Sequence, residues 1–232
     1  MIESILDLNH LRIIAAIAML GYASYTDVAK REISDYVWLI FGALAIVLLI
    51  FEPQIYDGLI NVGVSLIVAP IVLIIWRLGI FGGADAFAII VLALLVPQIT
   101  MTDNTVTPFT TLTNAIIISI IPFFVNMSRN LIAIAKKDDI FEGFSETRKK
   151  RIIALFVGYR AKNPKYSFSI EKKAGKHKKL NLVMHHAEYA EFCNKPNTWV
   201  TPGIPYMLFI TAGFLVQIFY GDIIFSFIGL GL

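Results

Sequence analysis

Two aspartates carry the chemistry that this sequence can do. Asp85 ends the string FGGAD (81–85), between the apolar runs LIVAPIVLIIW and AFAIIVLALLV. Asp27 stands much earlier, in SYTDVAKREISD (24–35), where an apolar run gives way to charge. Ionisable groups beside apolar spans are rare and usually functional. Two carboxyl groups held close together cannot both ionise freely, so they share one proton. Such a pair activates water. The ionised member takes a proton from it, and the protonated member gives one to a scissile carbonyl oxygen. Apparent pKa values then belong to the pair and not to either residue. Gly82 and Gly83 suit the same chemistry. Glycine permits backbone angles closed to other residues and lets a second backbone come close. A peptide must be extended to be cut, and a bare ledge beside Asp85 would receive one. Taken singly, each feature has a plainer reading: Asp85 as a helix N-cap, Asp27 as a charge at a membrane edge, Gly82 and Gly83 as a turn. The joint pattern is what favours chemistry.

The elements that position these residues are membrane helices. The chain has 232 residues, 57% hydrophobic and 16% charged, against about 25% charged in an average soluble domain. Mean hydropathy is +0.71. The apolar residues come in long blocks, and only helices and closed barrels satisfy their backbone in lipid. The alternating segments of about ten residues that a barrel needs are absent. Six apolar stretches stand out, near 11–26, 36–52, 58–76, 85–99, 109–131 and 203–228. A span takes about 17–25 residues. The third, fifth and sixth are long enough; the second and fourth are short. The N-terminus does not read as a cleaved signal peptide, since Glu3 and Asp7 replace the basic region that a signal carries.

Lysine and arginine give the orientation. Nineteen of the twenty lie in 27–35, at the end of the third stretch, or in 129–201; Arg12 alone lies elsewhere. Cytoplasmic loops carry the basic excess, so the N-terminus is expected outside and these segments inside. Glu52, Asp57 and Asp103 fall in the opposite loops. This topology puts Asp27 at the cytoplasmic end of the first helix and Asp85 at the cytoplasmic start of the fourth, at one depth. The expected fold class is mainly α: a polytopic membrane protein of six transmembrane helices with a small cytoplasmic α+β lobe. The expected division is 1–135 for helices one to five, 136–198 for a basic lobe, and 199–232 for helix six. Within the lobe, RIIALFVGY (151–159) and YSFSI (166–170) read as short buried elements, and KKAGKHKK (172–179) as a solvated turn. Contact with membrane lipids is expected for its basic charge. WVTPGIPYMLF (199–209) reads as the entry to the last helix, with Trp199 at headgroup level.

At these residues the chain resembles the type IV prepilin peptidases, membrane aspartic proteases, and in particular their archaeal preflagellin and prepilin branch. In that family one aspartate follows the first of six helices. The other closes a G-x-G-D or G-x-hydrophobic-D motif opening the fourth. GGAD (82–85) is similar to the second form, with Ala84 in place of the last glycine. SYTDVAKREISD resembles the context of the first aspartate, and TPGIPYMLF (201–209) the opening of the last helix. The resemblance implies Asp27 and Asp85 as catalytic residues, with Gly82 and Gly83 as motif and backbone support. It implies cleavage of basic class III signal peptides from archaellin and pilin precursors at the cytoplasmic face. Bacterial relatives often carry paired CxxC motifs and methylate the new amino terminus. Here the first cytoplasmic loop has no cysteine, so no methyltransferase activity is expected. Glu32 and Asp35 are candidates to attract the basic leader by charge and position.

Other classes are weaker. A presenilin-like or signal-peptide-peptidase-like intramembrane protease would show a tyrosine before the first aspartate and a P-A-L string; here Thr26 precedes Asp27 and the string is PYML. A proton-coupled transporter would show internal repeats and acids near the midplane. A membrane scaffold acting through its basic lobe is a further alternative. With one cysteine, Cys193, neither an internal disulfide nor a paired-cysteine zinc site can form. No metal, cofactor or nucleic-acid partner is expected, and oligomeric state is left open.

Overall fold

The computed structural model describes residues 2–97, 99–100, 105–174, 177–182 and 190–227. Asp103 and the side chains of Glu3 and Asp7 lie outside the described residues. The chain divides into two compact units, one of Met1–Ser119 with Pro205–Leu232, the other of Ile120–Ile204. In order, the first unit supplies α1 (Ile2–Lys30), α2 (Tyr36–Ile50), α3 (Ile55–Ser65), α4 (Val68–Arg77), α5 (Gly83–Leu95), a short pair β1 (Ile99–Thr100) and β2 (Thr105–Val106), and α6 (Phe109–Ile118). The second supplies α7 (Ile121–Ala135), α8 (Arg148–Val157), β3 (Tyr159–Ala161), β4 (Ser167–Ser169), β5 (Glu171–Ala174), β6 (His177–Leu180) and β7 (Thr198–Pro202). The chain then returns to the first unit with α9 (Tyr206–Phe219) and α10 (Ile223–Phe227).

The protein is mainly helical. Three helical stretches are long and apolar enough to cross a membrane: Leu8–Lys30, Ile55–Arg77 and Phe109–Ala135. At 23 residues the first two are about 35 Å long, against a hydrocarbon core of about 30 Å. Proline explains why two of the three are each built from a pair of helices. Pro70 has no N–H for the carbonyl of Leu66, and α3 yields to α4 at 66–67. Pro122 does the same to Ile118, where α6 ends. α2, α5 and α9 are shorter apolar helices.

α5 is central in the first unit. It packs against α1, α2, α3, α4 and α9. Eight of its thirteen residues are buried, from Asp85 to Leu95. A helix covered over most of its surface needs no polar face, which explains its apolar run; Phe87 is its one exposed large side chain among the described residues. α6 and α9 approach closely at Gly213. A Cβ there would lie 2.5 Å from the Thr111 carbonyl oxygen and 2.7 Å from the Ala115 nitrogen. Away from the aspartates, Arg12 ties three helices together. It pairs with Glu52 at 2.9 Å and donates to the Leu95 carbonyl at 3.1 Å. It thereby joins the body of α1, the turn after α2 and the last residue of α5.

The second unit is a small α+β assembly. β7 is the middle strand of an antiparallel sheet ordered β3-β7-β4. Trp199 fills its core, fully buried. Its Nε1 donates to the Ile140 carbonyl at 2.7 Å, and its ring stacks on Phe141 at 4.9 Å. Trp199 is therefore not a headgroup anchor; cross-strand packing and a buried acceptor hold the indole instead. Residues 198–202 pair as a strand, and the last helix opens only at Tyr206 after Pro205. Around KKAGKHKK a hairpin of β5 and β6 forms, with Glu171 opposite Leu180; residues 175 and 176 lie outside the described residues. Asn126 and Asn130 of α7 are buried. They donate to the carbonyls of Phe156 at 3.2 Å, and of Leu155 at 2.8 Å and Gly158 at 2.7 Å, closing the C-terminus of α8.

Candidate active site

The chain enters FGGAD through a tight helix end. Gly79 is left-handed, with φ of 73°. Its N–H bonds to the Trp76 carbonyl at 2.8 Å, and the N–H of Ile80 reaches back to Ile75 at 3.2 Å. This is the paired hydrogen-bond closure that a glycine just past a helix terminus permits. Gly79, and neither Gly82 nor Gly83, supplies the conformation closed to other residues. Gly82 is extended at φ −78° and ψ 164°, which any residue adopts. The role expected of Gly83, close approach, is present, but the visitor is a side chain. A Cβ at Gly83 would lie 3.1 Å from the Trp76 indole. The ledge next to Gly83 is thus covered by α4's own tryptophan.

Asp85 is the third residue of α5. Its Oδ2 accepts from the backbone N–H of Gly82 at 3.0 Å, a capping arrangement that satisfies one orphan donor of the helix start. Asp85 is only 8% exposed. Burying a carboxyl group costs free energy unless it is hydrogen-bonded, and that N–H meets part of the cost.

Asp27 is half-buried near the end of α1. The helix closes just after it: Arg31 is left-handed at φ 60°, and its N–H bonds to the Asp27 carbonyl at 3.0 Å. The Asp27 carboxylate faces the backbone N–H of Met207, in the first turn of α9, and the Arg31 guanidinium lies beside it. Ser24, one turn earlier, joins α9 through Thr211 at 2.7 Å and the Met207 carbonyl at 3.2 Å. Asp27 lies within electrostatic reach of Asp85.

The start of α9 therefore lies near both carboxylates. Met207 serves Asp27. Tyr206 stacks on Phe81 at 5.5 Å, with 15° between the rings, and its hydroxyl lies beside Ser119 and within reach of Asp85. Glu32 and Asp35 are exposed in the turn between α1 and α2 and take no part in this buried arrangement. Among the described residues no group of His, Cys, Asp and Glu is arranged to hold a metal ion.

The sequence model described as "Type IV leader peptidase family" matches residues 14–124, which hold both aspartates. A second, described as "Archaeal Peptidase A24 C-terminus Type II", matches residues 140–223. The chain belongs to the type IV leader peptidase family. It is similar over nearly its whole length to two curated preflagellin peptidases. That of Methanocaldococcus jannaschii is 28% identical, covering 90% of this chain and 93% of the relative. That of Methanococcus maripaludis is 27% identical, covering 93% and 97%. As a leader peptidase the protein is a protease, and its apolar helices make it a membrane protein.

Sequence reasoning missed Tyr206, Trp76 and Gly79. Gly79 was findable, as a glycine two residues after Arg77 at the end of an apolar run. Tyr206 and Trp76 had no local signal, because what they touch is distant in sequence.

Proposed function

We propose that this leader peptidase is a membrane-embedded aspartic endopeptidase that removes basic class III signal peptides from archaellin or pilin precursors at the cytoplasmic face. Asp27 and Asp85 form the catalytic dyad. One takes a proton from water as the water oxygen attacks the scissile carbonyl carbon. The other gives its proton to the carbonyl oxygen. The tetrahedral intermediate then collapses, the C–N bond breaks, and the leaving nitrogen takes up a proton. The observation that carries this reading is the juxtaposition of the two carboxylates at neighbouring helix termini, each facing a backbone N–H. The names of the two curated relatives support the substrate class.

In this reading six helical segments cross the bilayer: α1, α2, α3 with α4, α5, α6 with α7, and α9. The N-terminus is outside, and the basic segment 136–198 is cytoplasmic. The positive-inside distribution supports it. No methyltransferase activity accompanies cleavage, in keeping with a first loop of a few residues and no cysteine. The test uses purified protein with an archaellin or pilin precursor. Asp27→Asn and Asp85→Asn are each expected to lower cleavage by on the order of 10³-fold, the usual worth of a positioned acid or base. Near-normal cutting by either variant sinks the dyad.

A further inference from the structure

We infer that α8 is an interfacial helix that seats the second unit in the anionic headgroup layer of the bilayer. This rests on the membrane reading but not on the catalytic dyad. α7 is the second half of the candidate span Phe109–Ala135. The carbonyls ending α8 are hydrogen-bonded to Asn126 and Asn130 of α7, in the later part of that span as it nears its end at Ala135. α8 is thereby fixed at the depth of a membrane segment and cannot stand off in solution.

Its outward face matches that depth. Ile152 and Ile153 are 58% and 49% exposed. Two apolar side chains so exposed on a ten-residue helix are unusual away from an interaction surface. One turn earlier, Arg148 and Lys149 are also exposed. The inner face is already occupied. Ala154 is buried, and Arg151 donates to the Phe144 carbonyl at 3.3 Å and lies over the Phe141 ring. α7 is apolar and exposed alongside, with Phe124 at 59% and Ile132 at 56%. Apolar side chains on one flank, cations that reach up past them, and a neighbouring span together describe a helix lying in the membrane plane. The cations also stand at the positive end of the α8 dipole, where the nearest acid, Glu146 just before the helix, pairs with Lys150 at 3.5 Å and leaves Arg148 and Lys149 facing outward. An anionic lipid phosphate supplies a counter-charge for Arg148 and Lys149.

Ile153→Cys, Ile132→Cys and Lys172→Cys are made singly in a Cys193→Ser background. Each carries an environment-sensitive fluorophore in full-length protein, reconstituted in nanodiscs of phosphatidylcholine with or without phosphatidylglycerol. Lipid-borne nitroxide and aqueous iodide serve as quenchers. The probe at 153 is expected to be quenched by nitroxide nearly as strongly as that at 132, and several-fold more than that at 172. Arg148→Glu with Lys149→Glu is expected to remove most of the difference between anionic and neutral discs at 153. If 153 behaves as 172 does, the helix faces water and the inference is overturned. Shielding of 153 from both quenchers, which means a protein surface covers it, also overturns it. Quenching that ignores the charge reversal overturns the anionic component. Failure at 132 as well strikes the membrane reading itself, which separates the two.

Discussion

At the residue scale each of the two aspartates serves a helix terminus. Asp85 caps its own helix through Gly82, and Asp27 faces the first turn of another helix at Met207. Carboxylates so placed gain from helix-dipole and N–H interactions. The asparagine variants keep shape and much of the hydrogen bonding, so they should fold and fail only in cleavage; unchanged melting with lost cutting checks this. Gly83 makes a finer test. Its φ is not in the glycine-only region, yet its face is pressed on Trp76. Gly83→Ala is expected to cost about 1 kcal/mol of stability, at the low end for overpacking. Its effect on kcat should be larger, because the indole or the Asp85 backbone must shift. Wild-type kcat in that variant would show that the Trp76 contact does not position Asp85.

At the element scale, helix contacts set the distance between carboxylates that sit on different helices. α9 is held to α1 by Ser24 and Thr211 and to α6 by the backbone approach at Gly213. Gly213→Leu would drive a side chain into the Thr111 carbonyl and the Ala115 backbone. Overpacking of this kind costs about 1–3 kcal/mol, so a lowered Tm in detergent and reduced cleavage are expected together. Arg12 makes a complementary test, since it lies far from the chemistry. Its side chain is 4% exposed and joins Glu52 to the end of α5. Arg12→Met leaves Glu52 unpaired beside apolar helices, at a cost on the order of 3 kcal/mol. Glu52→Gln with Arg12→Met should recover part of it, as measured by thermal unfolding.

At the scale of the whole molecule, charge distribution is the main fact. The net charge is +3, and nearly all the cations lie on the side assigned to the cytoplasm. In the proposed topology and function, a basic leader would approach that face against a positive field. Glu32 and Asp35, exposed just after Asp27, are the local exception. Glu32→Gln with Asp35→Asn is expected to lower kcat/KM by about 2- to 5-fold at low salt, since exposed pairs are worth roughly 0.2–1 kcal/mol. The difference should vanish at high salt, where screening removes it. Equal kcat/KM at low salt means these acids do not guide substrate.

Helical class, membrane character and the family were legible in the sequence, and the two aspartates proposed for catalysis were picked out there as well. Those properties follow from composition, block length and short motifs, which act locally. The tertiary structure decided three other things. It gave the glycine role in the turn to Gly79 and covered Gly83 with Trp76. It drew Trp199 into a sheet core, because a strand partner and the Ile140 carbonyl outweigh any local preference of the indole. It also brought the start of α9 close to both Asp27 and Asp85. Each of these joins residues far apart in the chain. Such pairings are set by packing and hydrogen-bond satisfaction among whole helices, which no window of sequence contains.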